Sequence, residues 1–333
     1  MQAIIPVAGA GTRLRPLTYT QPKVLISVAG KPILSFIIES LKENGVTRFI
    51  FVIGYLGEKI KDFVVENYPE IDAHFVTQET PEGMGHALFC AREIVNINEP
   101  LIIQLGDTIT DADVSELVHG ETSTLCIKKV EDPRSFGVAE LGTDGTIKNV
   151  VEKPSIPKSN MALVGLYFIY ETKQLFEALA YNVEHNIRTN NEFHLTDALR
   201  TMITNGVVFN SYKVEQWFDL GKKEILLETN TILLRKLGDL AVRKGTTQNS
   251  IIIPPVSIGE GAQIVNSIVG PNVTIGDHSA VQFSIIRDSI VGSYTKLENI
   301  TLVNSLIGSD AGIKGFSQSL NIGDNTEIDL SNS

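Results

Sequence analysis

Gln2-Ala3-Ile4-Ile5-Pro6-Val7-Ala8-Gly9-Ala10-Gly11-Thr12-Arg13-Leu14-Arg15-Pro16-Leu17-Thr18 opens the chain, and Gln21-Pro22-Lys23 follows closely. An apolar strand runs directly into a glycine loop. Glycines let a backbone approach a phosphate chain, and unpaired N–H groups supply the donors. Arg13 and Lys23 supply positive charge. Leu14 stands where a dinucleotide fingerprint needs its third glycine, and no Gly-Lys-Ser/Thr triplet exists for a Walker A loop. The plain alternative is a glycine-rich turn with solvated cations. The order strand, glycine loop, Arg, Lys weighs against it.

Outward from this loop, short apolar runs alternate with amphipathic stretches. Pro32 opens a predicted helix with Ile33, Leu34, Ile37, Ile38 and Leu41 on one face, closed by Gly45. Arg48 to Gly54 reads as a strand, Gly57 to Asn67 as a helix and Ala73 to Gln78 as extended chain. A helix is expected from Gly85 to Val95, then the strand Leu101 to Leu105 ending in Gly106-Asp107. This alternation predicts an α/β fold with a mostly parallel, Rossmann-like sheet, whose ligands bind at the carboxyl ends of the strands. Val138–Leu141 and Ile147–Glu152 flank a hairpin signal at Gly142-Thr143-Asp144-Gly145, and Met161–Tyr170 reads as a buried strand. These form an antiparallel extension. Lys222 to Lys244 reads as one long helix.

From Ser250 the period changes. Ile258-Gly259, Ile264, Ile268-Val269-Gly270, Val273, Ile275-Gly276, Val281, Ile285, Ile290-Val291-Gly292, Leu297 and Leu306-Ile307-Gly308 recur at short intervals. Such aliphatic–glycine steps mark hexapeptide β-helix repeats, here four or five coils of three hexads each, with small residues at the corners. The predicted organisation is therefore residues 1–221, a bridging helix and linker over 222–249, and a short left-handed parallel β-helix over 250–333.

The chain has 333 residues and a net charge of -11, with 28 Lys plus Arg against 39 Asp plus Glu. So acidic a surface is unsuited to duplex DNA, and no nucleic-acid partner is expected. No apolar run approaches membrane-spanning length, and Met1 to Val7 has no basic signal-peptide start, so a cytoplasmic protein without membrane partners is expected. Cys90 and Cys126 have no ligand spacing and read as reduced core thiols.

The motif G-x-G-T-R-L-x-P-L-T with Pro22-Lys23 resembles the signature of the sugar-1-phosphate nucleotidylyltransferases. Further matches follow in family order. Gln78-Glu79-Thr80-Pro81-Glu82-Gly83-Met84-Gly85-His86 resembles the base-recognition loop, and Leu105-Gly106-Asp107 the metal-binding strand end. Phe136-Gly137-Val138 and Val151-Glu152-Lys153-Pro154 resemble the sugar-side segments, and Trp217-Phe218-Asp219-Leu220-Gly221 the second metal motif. Asp132 to Ala139 and Leu163-Val164-Gly165 are most similar to long-form glucose-1-phosphate thymidylyltransferases, which carry a C-terminal left-handed β-helix.

The resemblance implies that a sugar 1-phosphate attacks the α-phosphorus of a nucleoside triphosphate and releases pyrophosphate. It implies Arg13, Lys23 and Asp107 as catalytic residues. Ala8, Gly9, Gly11, Thr12, Gln78 and Gly83 would meet the nucleotide, with Gln78 making a paired amide contact to a pyrimidine edge. Gly137, Glu152, Lys153 and Tyr167 would meet the sugar phosphate, although Tyr167 in so apolar a strand reads equally as core. Asp107 and Asp219 would hold Mg²⁺, a hard cation often bound by one or two carboxylates plus phosphates; as plain structure they would be a loop carboxylate and a helix cap.

The favoured substrates are dTTP and glucose 1-phosphate. Val24 after the site lysine and Thr108 after Asp107 depart from the thymidylyltransferase pattern, so UTP or GTP with another sugar stays open. So does a non-catalytic sugar-nucleotide-binding regulator. An acyltransferase in the β-helix would rest on the lone His278, which reads better as a solvated corner. His86 could approach the nucleotide, whereas His74, His119, His185 and His194 show no metal spacing. Thr196 or Asp197, in a family-like helix start, could orient the sugar site or simply cap the helix. Coil edges and the long helix offer surfaces for a homo-oligomer.

Overall fold

The strand Gln2–Pro6 is buried at every position and pairs in parallel with Arg48–Ile53 on one side and Leu101–Gln104 on the other. This computed structural model describes residues 1–238 and 244–315. One neighbour of the first strand comes next among the long strands and the other much later, so the connections leave it in opposite directions. In an open α/β sheet, that reversal opens a crevice at the strand's carboxyl end. The glycine loop leaves from that end, and Gly106-Asp107 leaves from the end of Leu101–Gln104 beside it.

The nine-stranded sheet is mixed. Asp72–Thr77 extends the parallel side. On the other side Met161–Ile169 pairs antiparallel with Leu101–Gln104, Gly137–Leu141 and Thr124–Lys129, and Asn210–Lys213 closes the edge. Ile147–Glu152 and Gly137–Leu141 form the expected hairpin. Ile4, Ile50, Ile103, Leu125, Tyr167 and Phe209 belong to one continuous core with the helices Thr172–Glu184 and Leu195–Thr204.

Local chemistry sets the helix ends. Ile33–Glu43 buries Ile33, Leu34, Ile37, Ile38 and Leu41. It ends where Gly45 turns left-handed at φ 84°, with Gly45 N–H donating to Lys42 O and Val46 N–H to Leu41 O. Two helices are shorter than the sequence suggests. Met84–Cys90 loosens after Cys90 into i→i+3 turns through Ile94. Lys223–Leu237 meets Gly238 at φ 52°, a left-handed residue that stops the helix, and Lys244 instead donates its N–H to Ile258 O. Residues 239–243 lie outside the described residues.

The chain divides into two compact units, Met1–Thr229 and Asn230–Ser333. In the second, three parallel sheets are built from every third strand, the stacked-coil arrangement of the left-handed β-helix. Thr246–Gln248, in the stretch read as linker, already pairs with Gln263–Val265. The coil is not three full hexads. Thr246 pairs with Gln263 and Gln263 with Ala280, steps of 17, whereas Ala280 to Lys296 and Lys296 to Gly312 are steps of 16. Asn249, Asn266, Phe283 and Asn299 form one column of left-handed corners, and Asn272, Asp288 and Asn304 another. Asn tolerates this region better than most residues. Hence Asn, Asp, His and Tyr take most left-handed corner positions, while Gly259, Gly276, Gly292 and the buried Ser267 and Ser284 fill the same turns as the expected small residues. Strand alternation also moves one core position: Ile286 is buried and Ile285 points outward, 45% exposed. Residues 316–333, which the sequence assigns to the β-helix, lie outside the described residues.

Candidate active site

Two carboxylates converge on one ammonium at the mouth of the crevice. Lys23 follows Pro22 in a short 3₁₀ turn and is 9% exposed. Its Nζ donates to Asp107 Oδ2 at 2.5 Å and lies 4.0 Å from Asp219 Oδ1. Arg13 Nη1 lies 3.8 Å from Asp219 Oδ2. A small ribbon makes this possible. Trp217–Asp219 pairs antiparallel with Thr108–Thr110, setting Asp219 opposite Thr108, and Leu220 N–H donates to Asp107 O at 3.0 Å. Two aspartates 112 positions apart, 107 and 219, thus face one cation.

The glycines of the loop have different tasks. Gly11 sits at φ 60°, and a Cβ there would lie 3.0 Å from Lys23 Cβ and 3.1 Å from Thr18 Cγ2. Thr18 Oγ1 donates to Gly11 O at 2.8 Å. Gly11 therefore seats the lysine turn. Gly9 has open space where its Cβ would be, leaving bare backbone beside the crevice.

A cavity of about 330 Å³ runs from this cluster into the antiparallel half of the sheet. Its walls include Arg13, Asp107, Gly137, Glu152, Lys153, Tyr167 and Asp219. The structure thus gathers seven of the candidate residues around one space. Glu152, 11% exposed, accepts from Thr196 Oγ1 at 3.0 Å and lies 3.4 Å from Lys153 Nζ and 3.5 Å from His194 Nδ1. A Cβ on Gly137 would strike Thr196 Cγ2 at 2.8 Å, so that glycine lets the helix Leu195–Thr204 approach. Lys153 is left-handed at φ 41°, its N–H held by Phe136 O. Tyr167 is both core and wall. Burial, and secondarily Glu152, pushes its phenol well above the usual tyrosine range, so it stays neutral.

Of the loop after Asp72–Thr77, Gln78 and Gly83 stand outside that cavity's walls, whereas Met84 at its end is one of them. Gln78 Nε2 donates to Gly83 O at 3.1 Å and faces His86 Nδ1 at 3.2 Å. Gly83, at φ 102°, is glycine because its own chain approaches: a Cβ would lie 2.6 Å from Phe193 O. Phe193 N–H donates to Glu82 O, and Gly85 N–H donates to Phe193 O. Glu82 is not a free loop charge. Its Oε1 accepts from Arg188 Nη2 at 2.8 Å, a bond that holds its carboxyl below the usual range. His86 turns both ring nitrogens toward protein groups.

Several wall residues escaped sequence reading as site residues. His194 is 8% exposed between Glu152 and Glu192, and its Nε2 is buried without a hydrogen-bond partner. Trp217 packs edge-on against Phe136 at 4.8 Å. The signal for Trp217 was its place in the Asp219 motif. Arg188, outside the walls, carried no sequence signal; Asn190 and Asn191 after it are left-handed, at φ 51° and 65°. Neither His278 nor the cysteines join a site: the His278 ring stacks on Tyr294, and burial raises the thiols of Cys90 and Cys126, the latter to about 12.

Among the described residues no helix is long and apolar enough to cross a membrane. The chain is similar to the low-salt glycan biosynthesis nucleotidyltransferase Agl11 of Haloferax volcanii, 33% identical over 242 residues, which cover 70% of this chain and 66% of that protein. It is 31% identical to the glucose-1-phosphate thymidylyltransferase of Streptomyces antibioticus, over 80% of this chain and 75% of that one. The chain spans about two-thirds of the length of several curated relatives it matches. A solved UDP-glucose pyrophosphorylase complexed with UDP-glucose is similar in fold, with TM-score 0.62 and 26% identity over 71% of this chain and 98% of that one. The sequence model of the nucleotidyl transferase family matches residues 2–236, so the chain belongs to that family.

Proposed function

We propose that the protein transfers a nucleotidyl group from a nucleoside triphosphate to a sugar 1-phosphate, with dTTP and glucose 1-phosphate as the favoured pair. The observation that carries this reading is one cavity with the Arg13 guanidinium and the carboxylates of Asp107 and Asp219 at one end and a buried carboxylate–hydroxyl pair, Glu152 with Thr196, at the other. The first end suits a triphosphate and the second suits sugar hydroxyls.

In this reading Lys153 meets the sugar phosphate, one of whose oxygens attacks the α-phosphorus. A new P–O bond forms there as the bond to the β-phosphate oxygen breaks, and pyrophosphate leaves toward Arg13. The charge is conserved and no enzyme-bound intermediate is needed, so positioning and charge stabilisation do most of the work. Lys23 answers the charge on the reacting phosphates.

The donor set fits a hard divalent cation such as Mg²⁺. Asp107 and Asp219 offer carboxylate oxygens to a position already flanked by the Lys23 ammonium. Among the described residues no three His, Cys, Asp or Glu gather to enclose a metal, so phosphate and water would complete the shell, as Mg²⁺ prefers. When bound, such an ion supplies charge neutralisation at the phosphate oxygens.

The test is pyrophosphate release with Mg²⁺, crossing dTTP, UTP, GTP, CTP and ATP with glucose 1-phosphate and other sugar 1-phosphates. Fastest release from dTTP with glucose 1-phosphate supports the full proposal. Another best pair keeps the chemistry and replaces the substrate. No release from protein that binds a sugar nucleotide favours a regulator. In the active case Asp107→Asn should lower kcat by about 10²–10³, as loss of a preorganised charge contact does; a loss under tenfold would remove Asp107 from the mechanism.

A further inference from the structure

The hydrogen bonds of Gln78 admit one placement of protons. Gln78 is 8% exposed, and its Nε2 lies 3.1 Å from Gly83 O and 3.2 Å from His86 Nδ1. A backbone carbonyl only accepts, so the end of the amide facing Gly83 is the NH₂ group. Its second hydrogen faces His86 Nδ1, which must accept. The imidazole hydrogen then sits on Nε2, which faces Glu82 Oε2 at 3.6 Å and Cys90 Sγ at 3.8 Å. Glu82 is anchored in turn by Arg188, whose guanidinium lies over the Phe193 ring at 3.9 Å. The His86 ring also leans toward Phe193, with centroids 6.3 Å apart. The imidazole is therefore held from two loops.

Both amide hydrogens of Gln78 are spent inside the protein. Its Oε1 accepts no hydrogen bond among the described residues. We propose that His86 is a positioning residue that fixes the Gln78 amide so that it offers a nucleotide base a carbonyl oxygen and no N–H. Such a group suits a base with a ring N–H on its pairing edge: uracil, thymine or guanine. Cytosine and adenine bring a ring lone pair to the same point, and a buried polar group left unpaired discriminates strongly. The contact is then single, through Oε1, rather than the paired amide contact that the sequence suggests. The inference rests on the nucleotidyltransferase reading and on Gln78 as its base contact.

Two measurements on the full chain test it. The first is the imidazole ¹⁵N spectrum, assigned by the signal lost in His86→Gln. An unprotonated Nδ1 and a protonated Nε2 in the neutral ring are expected. A neutral ring protonated on Nδ1 overturns the proposal, whatever the activity. The second is calorimetric binding of UTP, dTTP and CTP to wild type, His86→Phe, His86→Gln and Gln78→Ala. His86→Phe should lower the UTP-to-CTP affinity ratio about tenfold, the scale of one hydrogen bond. His86→Gln, whose amide oxygen accepts in place of Nδ1, should retain most of it. If His86→Phe keeps the ratio and Gln78→Ala loses it, the base contact stands and the role of His86 fails. If Gln78→Ala keeps the ratio, Gln78 does not read the base and the proposal falls with it. If wild type binds no triphosphate, the nucleotidyltransferase reading fails while the ¹⁵N spectrum still decides the amide's orientation.

Discussion

Arg13 lies against Gly221: a Cβ on that glycine would meet Arg13 Nη2 at 2.4 Å. The obstacle is the far end of a flexible side chain, so Gly221→Ala would move the guanidinium and leave the backbone in place. It should lower kcat about 10²-fold, the cost of misplacing a charge by an ångström or so, with little change in Tm. Equal losses in activity and stability would mean that Gly221 is structural. Gly83→Ala should behave oppositely. Its Cβ would strike backbone, Phe193 O at 2.6 Å, from a left-handed φ of 102°. A cost of about 1–3 kcal/mol in stability is expected by denaturant titration, and an unchanged midpoint would contradict it. That Arg13, Asp107 and Asp219 share one end of the sheet was legible because each stands at the end of an apolar run or in a glycine turn; Lys23, after Pro22, was picked out by its charge and its place in the motif. The partners of Gln78 and Glu82 were not legible. No local pattern joins Glu82 to Arg188, 106 positions away, or shows that an amide has spent both hydrogens.

At the scale of elements, the helix Leu195–Thr204 carries its functional face on one turn. Thr196 bonds Glu152 on the cavity side, while Asp197 faces away, accepting from Thr189 Oγ1 at 3.1 Å with its other oxygen buried and unpartnered. Burial is the main cause that raises the Asp197 carboxyl above its ordinary value, and the Thr189 hydrogen bond opposes it. A raised folded-state pKa means that folding favours the protonated form. That contribution is full below the unfolded value of about 3.9 and is lost as pH rises through the folded value. At pH 8 the ionised carboxylate is therefore a burden. Asp197→Asn should raise Tm by about 1–2 °C at pH 8, a small gain because the group is partly exposed and screened, and by nothing at pH 4. A gain independent of pH would point to helix packing instead. Sequence legibility at this scale followed burial. Ile33–Glu43 was plain because one face is apolar and Gly45 ends it. Met84–Cys90 and Lys223–Leu237 were read too long because apolar spacing continued past the point where turns or a left-handed glycine broke the backbone ladder.

For the whole molecule, the second unit was legible as a β-helix from its aliphatic period, but its coil length was not. Counting hexads gives 18 residues per coil, and the register gives 17 and then 16, because two sides of a coil, such as Gln263 to Ile268 and Ile268 to Val273, advance by five residues rather than six. A coil is also a unit of stability, since stacked repeats contact mainly their neighbours. Ala280 pairs with Lys296, so removing Ala280–Thr295 joins Ser279 to Lys296 in register. Lys296–Glu298 would then stack on Gln263–Val265, with Leu297 taking the place of Val281 over Ile264. Asn299 would follow Asn266 in the corner column, and the Ser267 hydroxyl, which now meets Ser284 N–H, would meet Ile300 N–H, the group that Ser284 serves today. This variant should fold, keep its far-UV β signal and melt lower than the parent, having lost one coil interface. Removing only Ala280–Val291 would instead bring Gly292 to the strand position and break the register, setting Leu297 and Leu306 at the outward places of Ile285 and Tyr294. That variant should lose the cooperative transition of the β-helix. Equal behaviour of the two deletions would mean that the 16-residue register does not govern the stacking.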